Sequence, residues 1–154
     1  EADESLPNGV AIGQAAMVLA QRKLECVPRP DGLALAADTL VVVGGRPMGK
    51  PRHLDEALTM LRALSGAAHD VVTGFVVARD ERQRAEMVQT KVWVRRLSSF
   101  EIERYLDGGE AYDKAGAYAI QGEAGAFVDR IEGSYTNVVG LPVAEVLTAI
   151  EGLA

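Results

Sequence analysis

The sequence predicts an α/β protein, and three kinds of stretch carry that prediction. Leu33 to Val43 is apolar at nine of eleven positions, lacks helical spacing and ends in three valines, the pattern of a strand covered on both faces. Val10 to Val27 and Leu54 to Ser65 repeat apolar residues every three or four positions, the period of a helix with one buried stripe. Val88, Thr90, Val92 and Val94 alternate with Gln89, Lys91, Trp93 and Arg95, the period of a strand with one partly open face. At 154 residues, 48% apolar and 25% charged, the chain suits one globular domain over 1–154 with a proper core.

The first element follows an acidic start that ends in a Pro-Asn-Gly turn at 7–9. Along the helix at 10–27, Ile12, Ala16, Leu19, Ala20, Leu24 and Val27 share one face, and Lys23 falls in its middle. Such a lysine either snorkels past its neighbours or points into a polar cavity. Pro28 to Gly32 closes the helix and leads into the apolar strand. Asp38 and Thr39 sit inside that strand, where an ionised carboxylate is costly unless cations or donors meet it. Gly44-Gly45 signals a tight reversal, and the return segment delivers Lys50 between Gly49 and Pro51. The hairpin is expected to bring Asp38 and Lys50 together, either as a site or as a structural ion pair.

The second helix, from Leu54 to Ser65, carries Asp55 and Glu56 at its positive end and stops at Gly66. A strand over 71–79 and another over 87–96 form an antiparallel hairpin across a charged loop at 80–84. His69 reads as a polar residue at the strand end. Ser98 and Glu101 make a capping-box pattern for a short helix to about Leu106, ended by Gly108-Gly109. Glu110 to Gly125 is too rich in glycine for a helix, yet it holds Tyr112, Tyr118 and Ile120 beside Lys114 and Gln121. A packed loop with placed polar groups is where binding sites are built. A strand over 126–131, a turn-rich segment over 133–140 and a last helix from Pro142 to Glu151 complete the chain.

Composition removes several classes of function. The net charge of −6 disfavours nucleic-acid polymers, and no apolar run approaches the length of a membrane span. The single cysteine, Cys26, cannot form an internal disulfide, so a reducing cytoplasm is the expected compartment. Two histidines leave little material for zinc centres or Ser-His-Asp triads, and no phosphate-binding Gly-rich loop is present. What remains is a set of carboxylates and lysines, Glu4, Lys23, Asp38, Lys50 and Lys114, with Thr39 and Gln121 as neutral hydrogen-bonders. Carboxylates with lysines suit a polyphosphate bound with Mg²⁺, and a glutamine amide suits the edge of a nucleobase.

Five blocks then point in one direction: Ala-Asp-Thr-x-Val (37–41), Gly-Lys-Pro (49–51), Leu-Ser-Gly-x-x-His-x-Val-x-Thr-Gly (64–74), Asp-Lys-Ala-Gly-Ala-Tyr-x-Ile-Gln-Gly (113–122) and Gly-Ser-Tyr-x-Asn-Val-Val-Gly-Leu-Pro (133–142). In this order they resemble the Maf family of nucleoside triphosphate pyrophosphatases, historically described as septum-formation inhibitors. The resemblance implies an elongated mixed sheet with flanking helices and a cleft between two lobes, similar to inosine triphosphate pyrophosphatases. It implies Asp38 as the proton acceptor, Glu4 and Asp38 as ligands of a divalent metal, Mg²⁺ or Mn²⁺, and Lys50 as a catalytic cation. Lys23 and Lys114 match the family's substrate-binding lysines. Thr39 and Gln121 match the branch acting on dTTP and UTP. The expected partners are a pyrimidine nucleoside triphosphate and, as a homodimer, a second copy of the chain. A cell-division regulator that works through protein partners, with nucleotide binding as a sensor, is the rival. Family members also carry a first strand with a Ser-x-Ser-Pro-Arg-Arg loop upstream of the Asp-Glu-Ser pattern. This chain starts almost on that pattern, at 3–5, so a truncated chain is expected.

Overall fold

The structure, a computed structural model, describes residues 2–7, 9–27 and 32–153. Asn8 of the expected first turn and 28–31 of the expected helix-closing segment lie outside them. In chain order the elements are α1 (Ile12–Glu25), β1 (Leu33–Val43), β2 (Arg46–Met48), α2 (Leu54–Leu64), β3 (Ala68–Arg79), β4 (Arg82–Val94), α3 (Ser99–Asp107), three short 3-10 turns (Glu110–Asp113, Ala115–Ala117, Glu123–Phe127), β5 (Val128–Glu132), α4 (Tyr135–Val139) and α5 (Val143–Glu151). The strands form one antiparallel sheet in the order β2-β1-β3-β4-β5, flanked by helices, which is the α/β class expected.

The chain divides into two compact units. One comprises Glu1–Thr39, Val72–Gln89 and Thr136–Ala154; the other comprises Leu40–Val71 and Thr90–Tyr135. In the first unit, strand alternation sends side chains to two helices. Val76 and Ala78 of β3, with Ala34 and Ala36 of β1, pack against Ala20 and Leu24 of α1. Phe75 and Val77, with Ala37, pack against Val146 and Ala149 of α5 and against Leu153. Phe75 is fully buried, worth roughly 1.5–3 kcal/mol of transfer free energy. Helix α1 sits directly on the sheet at Gly74, where a Cβ would collide with the backbone of Ala16 and Met17.

The second unit holds the β1–β2 hairpin, α2, α3, the 3-10 turns and β5. Gly44 and Gly45 both adopt positive φ, 55° and 77°, as a two-residue turn matched to strand twist requires. Leu61 and Leu64 of α2 and Ile102, Tyr105 and Leu106 of α3 are buried, with Phe127 edge-on to Tyr105 at 5.2 Å between centroids. The Ser98 hydroxyl accepts from the Glu101 N–H at 3.2 Å while the Glu101 carboxylate accepts from the Ser98 N–H at 2.9 Å, the capping box expected for α3. Strand β5 pairs antiparallel with β4, Ile131 opposite Val92.

Three expectations change. Strand β1 is not covered on both faces: Leu33 and Leu35 are each 41% exposed, because the α5 cluster takes in Ala37 but neither leucine. The charged loop at 80–84 shrinks to a turn at Asp80 and Glu81, with β4 beginning at Arg82. The turn-rich segment at 133–140 contains α4, a helix of five residues.

Candidate active site

The same alternation places Asp38. It follows Ala34 and Ala36 onto the α1 face of β1, where Lys23 waits. The Lys23 ammonium donates to Asp38 Oδ1 at 2.5 Å and lies 3.2 Å from Glu4 Oε1. The Asp38 side chain is 13% exposed and that of Glu4 67%, so one acid is nearly buried and the other faces water. Burial opposes the charge on Lys23, but the hydrogen bond and charge of Asp38, then of Glu4, outweigh it and raise its pKa. Lys23 therefore stays an ammonium, and the polar alternative to snorkelling is the one realised.

The partner seen on Asp38 is Lys23 of α1. The hairpin register runs Val41–Met48, Val42–Pro47 and Val43–Arg46, and pairing stops there. Lys50 follows Gly49, whose carbonyl turns away to accept from the Gly116 N–H at 3.1 Å. The cation on Asp38 comes from α1 instead.

Glu4 is held by its neighbours. One guanidinium nitrogen of Arg22 donates to the Ser5 carbonyl at 2.8 Å and to the Asp3 carbonyl at 3.2 Å, and lies 3.3 Å from the Asp3 carboxylate. The Asp3 carboxylate in turn accepts from the Ser5 N–H at 2.9 Å. Arg22 thus clamps the carbonyls of the residues on either side of Glu4. No sequence signal singled it out beyond its place next to Lys23.

Two carboxylates meeting one ammonium mark a point where positive charge is favoured. Among the described residues no three His, Cys, Asp or Glu side chains gather as a metal cage. A hard divalent cation on Glu4 and Asp38 would take its other ligands from water and substrate phosphates, as Mg²⁺ commonly does. The oxygen donors fit Mg²⁺ or Mn²⁺.

Thr39 points to the opposite face from Asp38. Its hydroxyl donates to the Gly140 carbonyl at 3.1 Å and lies 2.8 Å from the Thr73 hydroxyl. Its proton is committed to the main chain that joins α4 to α5.

In the second unit, Lys50 and Lys114 lie on segments fastened by the bond from Gly116 to Gly49. Gly116 has φ 70°, and a Cβ there would meet Val41 Cγ1 at 2.9 Å. Lys114 pairs with Asp113 at 2.7 Å; that hydrogen bond lowers the Asp113 pKa, and the charges of Lys114 and Lys50 lower it further. Lys50 also lines a pocket of about 510 Å³ with Arg52, His53, Glu56 and Met60. His53 was not anticipated there: its Nδ1 caps α2 by accepting from the Glu56 N–H at 3.4 Å. Gln121 is exposed, and its amide makes no hydrogen bond among the described residues.

The loop holding Lys114 and Gln121 is anchored through Tyr118. Its hydroxyl lies 2.7 Å from His69 Nε2, with the rings edge-to-face. His69 stands at the start of β3, as expected of a polar strand-end residue, and is also a buried anchor. Burial pushes its pKa down to about 4, the charge of Asp70 only partly opposing.

Comparison with known proteins agrees with this chemistry. Residues 1–153 match the family described as Maf-like protein. The chain is 44% identical over 154 residues to the dTTP/UTP pyrophosphatase of Desulforamulus reducens, a match spanning 97% of this chain and 81% of that one. It is 46% identical over 125 residues to the dTTP/UTP pyrophosphatase of Caldanaerobacter subterraneus subsp. tengcongensis, spanning 80% of this chain and 60% of that one. With the dTTP/UTP pyrophosphatase of Syntrophomonas wolfei the figures are 45% over 150 residues, 95% and 79%.

Proposed function

The chain belongs to the Maf-like family, and from that membership we propose that it hydrolyses dTTP and UTP to the nucleoside monophosphate and pyrophosphate. The observation that carries the proposal is the convergence of Glu4 and Asp38 on one ammonium. Two acids gathered around a cationic point suit a triphosphate brought in with a metal, and suit neither a nucleic-acid groove nor a triad.

Asp38 accepts the proton of the attacking water. Lys23 engages one of its carboxylate oxygens, leaving the other for that water. Glu4 and Asp38 would hold the divalent cation, which when bound offsets phosphate charge and lowers the pKa of the water. Lys23 keeps the two acids converged and contacts a substrate phosphate. Lys50 and Lys114 stabilise the charge that develops on the leaving pyrophosphate as the α–β bond breaks.

Gln121 reads the base. Its amide can donate to O4 and accept from N3–H of uracil or thymine, and its freedom from internal bonds supports that role. Thr39 acts on base selection indirectly, by fixing the Gly140 carbonyl, since its own proton is already in use.

A pyrophosphate-release screen over all nucleoside triphosphates, with Mg²⁺ and with Mn²⁺, tests the proposal. Turnover should be highest with dTTP and UTP and should vanish with excess EDTA. A preference for purine triphosphates, or release of phosphate rather than pyrophosphate, would overturn it.

A further inference from the structure

We propose that Glu110 is a specificity-positioning residue: its carboxylate fixes the turn that presents Gln121 and so sets the preference for pyrimidine over purine triphosphates. The proposal rests on the reading of Gln121 given above and extends it to a residue that need not touch substrate.

Each oxygen of Glu110 has its own task. Oε1 accepts from the Tyr105 hydroxyl at 3.1 Å, and Oε2 accepts from the Glu123 N–H at 3.0 Å. One carboxylate therefore links helix α3 to the main chain two residues beyond Gln121. Gly122 lies between, and a Cβ there would collide with both Glu110 oxygens. The carboxylate occupies space that any other residue at 122 would fill.

The rest of the turn is shaped by its own main chain. Gly122 N–H donates to the Ala119 carbonyl at 3.1 Å, and Gly125 N–H donates to the Gly122 carbonyl at 3.0 Å. These bonds close the turn on itself; Glu110 ties it to α3. The α3 end of the tie is firm, because Tyr105 is 3% exposed and edge-on to Phe127. Burial, reinforced by the Glu110 charge, raises the Tyr105 pKa, so the hydroxyl remains a donor.

A base-reading amide depends on such support. Its donor and acceptor discriminate only when both lie close to the plane and line of the base edge. Displacement by a fraction of an ångström weakens the paired contact with pyrimidine, while a purine that makes no such contact loses little. A hydrogen bond from an N–H to a carboxylate is also stronger than one to a neutral amide. Replacing the carboxylate by an amide keeps volume and shape, and its NH2 can donate to the Tyr105 hydroxyl, but the acceptor facing the Glu123 N–H becomes neutral.

The test is kcat/KM for dTTP and for GTP with Mg²⁺, in the wild-type chain and in Glu110→Gln, Tyr105→Phe and Gln121→Ala. In Glu110→Gln the dTTP value should fall about fivefold, as a charge-assisted hydrogen bond becomes a neutral one, mainly through KM, with GTP changing less than about twofold. Tyr105→Phe should move the dTTP/GTP ratio the same way by a smaller factor, and it decides the matter if Glu110→Gln does not fold. Equal losses for both nucleotides, or an unchanged ratio, would overturn the role of Glu110. A selective loss in Gln121→Ala with an unselective one in Glu110→Gln removes Glu110 alone. A uniform loss in Gln121→Ala removes the base-reading role and this proposal with it.

Discussion

Acidification should destabilise the fold through His69 before it protonates most carboxylates. Burial depresses the His69 pKa from 6.5 to about 4. Between those values the unfolded chain binds a proton that the folded chain refuses, so stability rises with pH across that window. The contribution is fully present above 6.5, declines as pH falls and is gone below about 4. At about 1.4 kcal/mol for each pH unit, the whole gap is worth about 3 kcal/mol, a large share of a typical total of 5–15 kcal/mol. Urea melts at half-unit pH steps measure it, compared with His69→Asn. The variant should be less stable at pH 7, since the bond to Tyr118 is disturbed, but its stability should fall more gently between pH 6.5 and 4. Parallel curves for the two proteins would refute the reasoning, as would a His69 ring signal that titrates near 6.5 in the folded protein.

Further outcomes follow from the site and its scaffold. Asp38→Asn should keep the fold, by circular dichroism and melting, while turnover drops about 10²–10⁴-fold, the usual range for a lost general base; near-normal pyrophosphate release would remove Asp38 from that role. Arg22→Ala should free the segment around Glu4 and raise the half-saturating Mg²⁺ concentration about tenfold, as loss of a ligand's support commonly does. Limited proteolysis of the metal-free protein should then cut near Ser5 sooner than in the wild type. Gly116→Ala should cost about 1–2 kcal/mol from left-handed backbone alone, more once Val41 must give way, read as a lower urea midpoint.

Local signals were legible in the sequence wherever neighbouring residues settle the outcome. The α3 capping box and the Gly44-Gly45 turn are decided within four residues, and both stand where expected. Strand β4 begins five residues early because Arg82 to Glu86 carry no apolar alternation. There the pairing with β3 makes the strand. The helix α4 escaped because five residues cannot display a helical period. At the site, the acids and cations were legible as types, but their pairing was not. Nearness along a hairpin suggested Lys50 for Asp38, but face alternation in β1, which brings Asp38 to α1 and Lys23, was not used. The strand-end position of His69 was legible, but its burial against Tyr118 was not, because nothing local reveals a tyrosine 49 positions later.

The contact at Gly74 bears on how this sequence can drift. At Gly74 helix α1 rests on β3 main chain to main chain, while further along Val76 and Ala78 pack against Ala20 and Leu24. Thr73 next to it bonds to Thr39, the neighbour of Asp38 in β1. The height of Lys23 above Asp38 is thus set in part by a contact that only glycine at 74 permits. A single methyl group at 74 would collide with the helix backbone, lift α1 from the sheet and pull the ammonium away from the carboxylate.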